Sequence, residues 1–393
     1  MKLHVFSLSR FLMVTALTLM ALAASSWAIN TIDLEITAKD FDLYKKKSDA
    51  YQFEKAQLRL NGQQWQVVEE LATRGQSSLA APRRNFGVDL PSALQIGEVR
   101  GKKLNLVSMW SDNGYIGTKL GLLTSQHLKI GKGLPTVFAE LKMNGSSNGI
   151  YLVVQKPKSA ADSPYIVRRG YRSRFIYNEA KVDKLSADQV TAITRALTSL
   201  YGNLEKYSGI DLLAKLKEHM DLEAYMKLMT LNSLFRNGDG ADEVYFYIDS
   251  EMHKKGKIYF RIMPWDFDDL FKKMHSSEIN NTERVKNPQS IIYNFEDKLD
   301  LKFARDPILY GELKKFVNQL LQNELSKVPV DQLISQVLNE LMPYLDLEDI
   351  LNMSRLDGGR KNRPYSKKEV LDIFVKRQIE IDQRRKLLIE ITK

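Results

Sequence analysis

Residues 256–271 read GKIYFRIMPWDFDDLF. The alternating first half has the period of a β-strand, and it runs straight into Asp266, Asp268 and Asp269, gathered around Phe267. A strand end of this kind is either a wet rim of turn residues or a place where carboxylates are wanted. Trp265 and Phe267 flank Asp266, and an exposed loop seldom spends two large aromatics. That favours a site over a rim.

Working outward, a second strand-like run, EVYFYID at 243–249, is followed by the turn segment SEMHKKG and then by KIYFRIM at 257–263. The pattern predicts an antiparallel hairpin. In such a hairpin the start of the first strand lies beside the end of the second, so the preceding loop RNGDGAD (236–242) meets PWDFDD. Asn237, Asp239 and Asp242 are thereby expected near Asp266 and Asp268, although 27 residues separate Asp239 from Asp266. Carboxylates at close range repel one another unless a cation or proton compensates. Oxygen-only donors suit Mg²⁺, Mn²⁺ or Ca²⁺. The competing reading of NGDG is a helix-to-strand turn built on Asx hydrogen bonds.

The remaining composition narrows the chemistry. The 393-residue chain is 44% hydrophobic and contains no cysteine, which excludes disulfides, thiolate metal sites and thiol nucleophiles. Five histidines form no cluster, with His127 expected on a helix face and His219, His253 and His275 on the surface. No G-x-S-x-G elbow accompanies them. Residues 1–28 read as a cleaved signal peptide: Lys2 and Arg10, an apolar run FLMVTALTLMALAA, then Ser26 and Ala28 at −3 and −1. An exported chain, periplasmic or extracellular and without stable membrane insertion, is the expectation. Losing Lys2 and Arg10 takes the formal charge from +10 to +8. The basic residues are scattered, and no nucleic-acid-binding pattern is present.

Two lobes are predicted. Residues 29–180 form a β-rich N-terminal lobe, with an Asn61-Gly62 hairpin turn, short strands in RRNFGVDL and KKLNLVS, a helix in YIGTKLGLLTSQHL, and a second hairpin turning in NGSSNG. Residues 181–393 form a mainly helical C-terminal lobe in which the 243–263 hairpin is embedded. Its helices include one capped by Ser186, one opening at Asp221, and a last one with the capping box Ser366…Glu369.

On these motifs the chain resembles the CotH kinase family, the spore coat protein H-like secreted atypical protein kinases. The resemblance is carried, in order, by TRGQSS (73–78), RRNFGVDL, LNLVSMWSDNGYIGTKLG, LKMNGSSNGIYLVVQ, LNSLFRNGDGADEVYFYI with MPWDFDDLF, and VKRQIEIDQRRKLLIEI. It implies an α+β, bilobal, kinase-like fold and an ATP-dependent phosphotransferase acting on Ser or Thr hydroxyls of a secreted or surface protein. By the same resemblance Asp239 is the catalytic-loop aspartate and Asn237 orients that loop or ligates metal. Asp266, supported by Asp268, holds Mg²⁺ or Mn²⁺ against the ATP phosphates, and Arg74, Arg83 and Arg84 meet phosphate oxygens. No Walker A or G-x-G-x-x-G loop is present, so RGQSS would have to serve.

The chain departs from the family pattern at Glu243, where an asparagine is common, and at Gln155, where many members carry an acid. Arg83 and Arg84 replace lysines. These departures keep open an inactive kinase-like protein used for binding or surface assembly. A third alternative is a hydrolase using Asp239 and Asp266, since glycosidases hold their acids about 5–9.5 Å apart. The Gly-rich LDGGRKNRPYSKK segment is expected to be a surface insertion.

Overall fold

A computed structural model of the chain describes residues 29–46, 49–75, 77–170, 173–240, 244–272, 291–293, 297–354 and 363–393. The expected signal peptide, Asp242, Glu243, His275 and most of the Gly-rich insertion lie outside the described residues.

The N-terminal lobe is an eight-stranded sheet in the order β3-β2-β1-β7-β8-β6-β5-β4. Its strands are β1 (Thr31–Ile36), β2 (Ala56–Leu60), β3 (Gln66–Val67), β4 (Glu70–Arg74), β5 (Asn85–Ile96), β6 (Val99–Val107), β7 (Thr136–Met143) and β8 (Ser146–Gln155). The sheet curls until its edges meet. Phe53 N donates to Leu71 O at 2.9 Å and Thr73 N to Tyr51 O at 2.8 Å, joining the segment ahead of β2 to β4. Curling removes the open edges that would otherwise invite pairing with another chain. Alternate residues of every long strand, among them Leu34, Leu58, Phe86, Val88, Leu106, Leu141, Tyr151 and Val153, fill the interior.

Both expected hairpins are present. Asn61 (φ 49°) and Gly62 (φ 72°) make the first turn, inside a longer β2–β3 connection, and Asn144 (φ 47°) and Gly145 (φ 81°) make the second, the left-handed pair that a two-residue hairpin such as Met143↔Ser146 demands. Each asparagine side chain also accepts a backbone amide from β1: Thr31 N at 2.7 Å and Ile36 N at 2.9 Å. The run after Asn61-Gly62 is split, however. Only Gln66–Val67 pairs with β2, and Glu70–Arg74 crosses to the far edge to pair with β5.

Helix α1 (Ala38–Lys46) covers the curled sheet, and α2 (Gly117–His127) follows β6. The second sheet is β10-β9-β12-β13, with β11 on β9. Here β9 is Tyr165–Gly170, β10 Arg174–Phe175, β11 Lys181–Val182, β12 Val244–Ile248 and β13 Phe260–Pro264. The break between sheets therefore falls between Gln155 and Tyr165, ahead of the boundary expected at 180, because β9–β11 hydrogen-bond to the embedded hairpin. Around this sheet pack α3 (Ala187–Lys206), α4 (Gly209–His219), α5 (Leu222–Leu234), α6 (Lys298–Arg305), α7 (Pro307–Gln322), α8 (Lys327–Leu341) and α9 (Lys367–Thr392). The Ser186 and Ser366 capping boxes both form. One continuous core runs from Val107 through α2, the hairpin and the helices to Leu388, so α2 belongs as much to the second lobe as to the first. No helix among the described residues is long and apolar enough to cross a membrane.

Candidate active site

The hairpin register sets the site. Val244 pairs with Pro264 and Ile248 with Phe260, which places the start of β12 beside the start of PWDFDD, as the alternation predicts. Two backbone bonds then tie the loop to the aspartate motif. Gly238 N donates to Asp269 O at 2.9 Å, and Phe271 N donates to Phe235 O at 3.0 Å. Asp239 is thus one residue from a direct bond to the acidic segment.

Asn237 holds the loop in shape. It is buried; its backbone N donates to Asn232 O at 2.9 Å and its Nδ2 to Asn232 Oδ1 at 3.2 Å, while its Oδ1 accepts from Asp239 N at 3.2 Å. That last bond is an Asx turn, the geometry the turn reading of NGDG expects. Gly240 is required here, because a Cβ would lie 2.7 Å from Asn232 Nδ2 and 2.9 Å from Asn237 Nδ2.

Asp266 has φ 52°. A non-glycine residue in the left-handed region is strained and persists only where its surroundings impose it. The imposing neighbour is α2. Phe267 is buried against Gly121, where a Cβ would come within 2.3 Å of the Phe267 ring, and Gly117 lies beside Phe267 O. These two glycines, one turn apart, let the helix and the aspartate motif approach closely.

The same helix brings a residue whose role the motif resemblance did not assign. Asp112 is buried, and its two carboxylate oxygens accept Gly117 N and Thr118 N, each at 2.9 Å, at the N-terminus of α2. Burial pushes its pKa up to about 6, against the two amides and Lys272, with Asp268 adding repulsion. Ser111 Oγ donates to Asp268 Oδ2 at 3.1 Å. Lys272 Nζ pairs with Asp269 Oδ1 at 2.6 Å. Burial works against the Lys272 charge, but Asp269, Asp268 and Asp112 outweigh it and raise its pKa. A strand-Asp-helix order was the available signal for Asp112; nothing local marks Lys272 or Ser111.

The three arginines separate. Arg74, at the end of β4, lays its guanidinium over the Trp265 ring, 5.4 Å from its centroid, and so reaches the aspartate motif from the other lobe. Gly75 (φ 102°) leaves room for Ser78 Oγ, which donates to Arg74 O at 3.1 Å. Arg83 is a correction. It is fully buried and donates to Asn148 O (3.2 Å), Ile150 O (2.9 Å) and Ser108 O (2.7 Å). Its guanidinium is spent on backbone carbonyls inside the lobe. Arg84 is likewise buried and stacks over Tyr44 of α1 at 4.8 Å. Gln155 lies against Gly101, while its neighbour Lys156 pairs with Asp89 at 2.5 Å.

The donors fit a hard divalent cation only in a limited way. Asp266 and Asp268 offer carboxylate oxygen, but no group of three or more potential His, Asp or Glu ligands stands together among the described residues. Mg²⁺ is commonly held by one or two carboxylates plus substrate phosphates rather than by a full protein cage, and two carboxylates on one short segment meet that requirement.

The sequence matches the family model of the CotH kinase protein over residues 71–353, a span that includes β4 with Arg74, the α2 junction, the Asn237–Asp239 loop and the aspartate motif. No curated protein matches the chain. Among solved structures, the proinflammatory kinase CtkA of Helicobacter pylori is similar at 11% identity and a TM-score of 0.38, covering 78% of this chain and 92% of CtkA. On the family match, which takes in well over half of its length, the chain belongs to the CotH kinase family of atypical protein kinases.

Proposed function

We propose that the chain is an exported protein kinase that transfers the γ-phosphoryl group of ATP to Ser or Thr hydroxyls of a secreted or surface protein, with Mg²⁺ or Mn²⁺. The observation that carries this reading is the Gly238–Asp269 backbone bond, which draws the Asp239 loop and the Asp266–Asp268 motif to one end of the hairpin. Asp239 orients the acceptor hydroxyl and takes its proton. Arg74, held on Trp265, supplies positive charge to the phosphate oxygens from the N-terminal lobe. Asp266 and Asp268 would hold the metal, which would supply charge neutralisation to the transferring phosphate. Catalysis of this kind is positioning plus charge stabilisation, and the buried Asn237 amide and the glycines of α2 supply the rigidity. Export rests on the leader pattern of residues 1–28.

One observation favours the alternative of an inactive binding protein. Lys272 already gives Asp269 a counter-ion and is attracted by Asp268 and Asp112, so the acidic cluster is partly neutralised without metal. Transfer of labelled phosphate from γ-labelled ATP, to the chain itself or to a panel of secreted proteins, separates the two. Transfer abolished by Asp239→Ala with ATP binding intact supports the kinase. Binding without transfer to any acceptor supports the alternative.

A further inference from the structure

Behind the active-site loop lies a buried polar network that the phosphoryl-transfer reading does not use. Arg169 and Asp297 are 1% and 0% exposed at their side chains, with Nη1 3.2 Å from Oδ1. Arg169 Nη1 also donates to Tyr225 Oη at 2.8 Å and Tyr201 Oη at 3.3 Å, and its guanidinium stacks over Tyr225 and Phe246. Tyr225 Oη donates to Asp300 Oδ1 at 2.8 Å. Asp297 caps α6 by accepting Leu299 N at 2.8 Å, and it accepts Ser173 Oγ at 2.7 Å. Removing an arginine and two carboxylates from water is expensive, and such networks are weak contributors to net stability. Their geometry is more informative than their energy.

That geometry brackets the loop. Tyr225 sits on α5, the helix that runs directly into Phe235 and Asn237. The backbone of Arg169 is the rung of β9 opposite Val244, the first residue of β12, and its side chain packs on Phe246 of the same strand. Asp297 opens α6, the first helix after the aspartate motif among the described residues. One guanidinium therefore joins the element that enters the 235–243 loop, the strand that leaves it, and the helix beyond.

We propose that Arg169, clamped by Asp297, is a positioning residue for phosphoryl transfer: it fixes the two ends of the Asp239 loop relative to each other without touching substrate. The consequence for catalysis rests on the kinase reading; the consequence for the loop does not. Replacing only one partner would strand a buried charge, so the test uses Arg169→Met with Asp297→Asn, in which asparagine still caps α6. Arg169→Lys is the conservative companion, keeping the charge while losing the fork.

Hydrogen exchange in the full chain gives the primary readout. The amides of Asn237, Gly238 and Phe271, bonded to Asn232 O, Asp269 O and Phe235 O, should exchange at least about tenfold faster in the double variant. Those of Leu325 and Asn144, bonded to Leu320 O and Leu34 O far from the network, should stay within about threefold. In phosphate transfer, kcat should fall at least about tenfold with the KM for ATP nearly unchanged, and Arg169→Lys should recover part of it. A double variant whose loop amides exchange as in the parent, or whose amides all accelerate together, overturns the proposal. So does selective loop loosening with full kcat. If the double variant does not fold, the Lys variant is judged by the same exchange criterion. If the parent transfers no phosphate, the kinase reading fails while the exchange result still decides whether Arg169 sets the loop.

Discussion

Gly121 and Phe267 share a space that one methyl group would close: a Cβ on Gly121 would stand 2.3 Å from Phe267 Cγ. Phe267 lies between Asp266, in its strained conformation, and Asp268, so the contact sets how the aspartates are presented.

In an exposed helix interior, Gly→Ala stabilises by about 1 kcal/mol. At Gly121 the sign should reverse. Overpacking costs about 1–3 kcal/mol, and the displaced Phe267 should carry Asp266 with it. Gly121→Ala is expected to lower Tm and to weaken metal-dependent ATP binding by about tenfold or more. Gly202→Ala, at a helical position with nothing within 4 Å of the added Cβ, is the control and should leave binding unchanged. Isothermal titration together with thermal scans reads both.

Arg74 and Arg83 should fail in different ways. Arg83 satisfies three backbone carbonyls inside the N-terminal lobe, and Arg83→Met should cost about 2–5 kcal/mol of stability. The nucleotide affinity of the folded fraction should change little. Arg74 rests on Trp265 at the lobe junction. Arg74→Ala should shift stability by less than about 1 kcal/mol and weaken ATP binding by at least about tenfold. Urea unfolding beside nucleotide titration distinguishes the pair.

Lys272 acts as an internal counter-ion. Lys272→Ala leaves Asp268, Asp269 and Asp112 without it, so the metal-free protein should lose stability at low ionic strength. Millimolar Mg²⁺ should then raise Tm more in the variant than in the parent. An equal response to Mg²⁺ and EDTA in both proteins would show that the cluster is not where metal enters.

The buried Asp300 makes stability depend on pH. Burial, aided by Asp297, pushes its pKa up to about 7, against Arg169 and the Tyr225 hydroxyl. Its ordinary value is 3.8, so between the two the folded state binds the proton that the unfolded state has released. Stability from this group therefore rises as pH falls from about 7 toward 4 and is lost as pH climbs through 7. The change is on the order of 2–4 kcal/mol. Asp300→Asn should flatten that slope. The difference between variant and parent, measured by urea midpoints from pH 5 to 8, isolates it from other carboxylates.

What was legible in the sequence was whatever the chain writes locally. The hairpin, the Asn-Gly turns and the capping boxes all rest on neighbours within a few residues, and the structure has each of them. The strand β1 carries the same alternation in TIDLEI, a stretch to which the expected N-terminal lobe assigns no strand. The strands β10 and β11 have two residues each, too few for any period to mark them as part of the second sheet. The burial of Arg83 and Arg84, expected to face phosphate, is not written locally, because it is decided by Gly149 and Tyr44, partners 66 and 40 positions away. The Arg169–Asp297 pair spans 128 positions, and the Gly121–Phe267 contact is of the same non-local kind. Both belong to the packing of one element on another, which periodicity does not encode.

The central claim is that the end of the β12–β13 hairpin holds a metal-nucleotide. Titrating the chain from residue 29 with ATP, with and without Mg²⁺ or Mn²⁺ and beside Asp266→Ala, tests it before any acceptor is known. The account predicts binding that requires the metal and is lost in the variant. Binding that is absent under both metals, or that survives in Asp266→Ala, would contradict it.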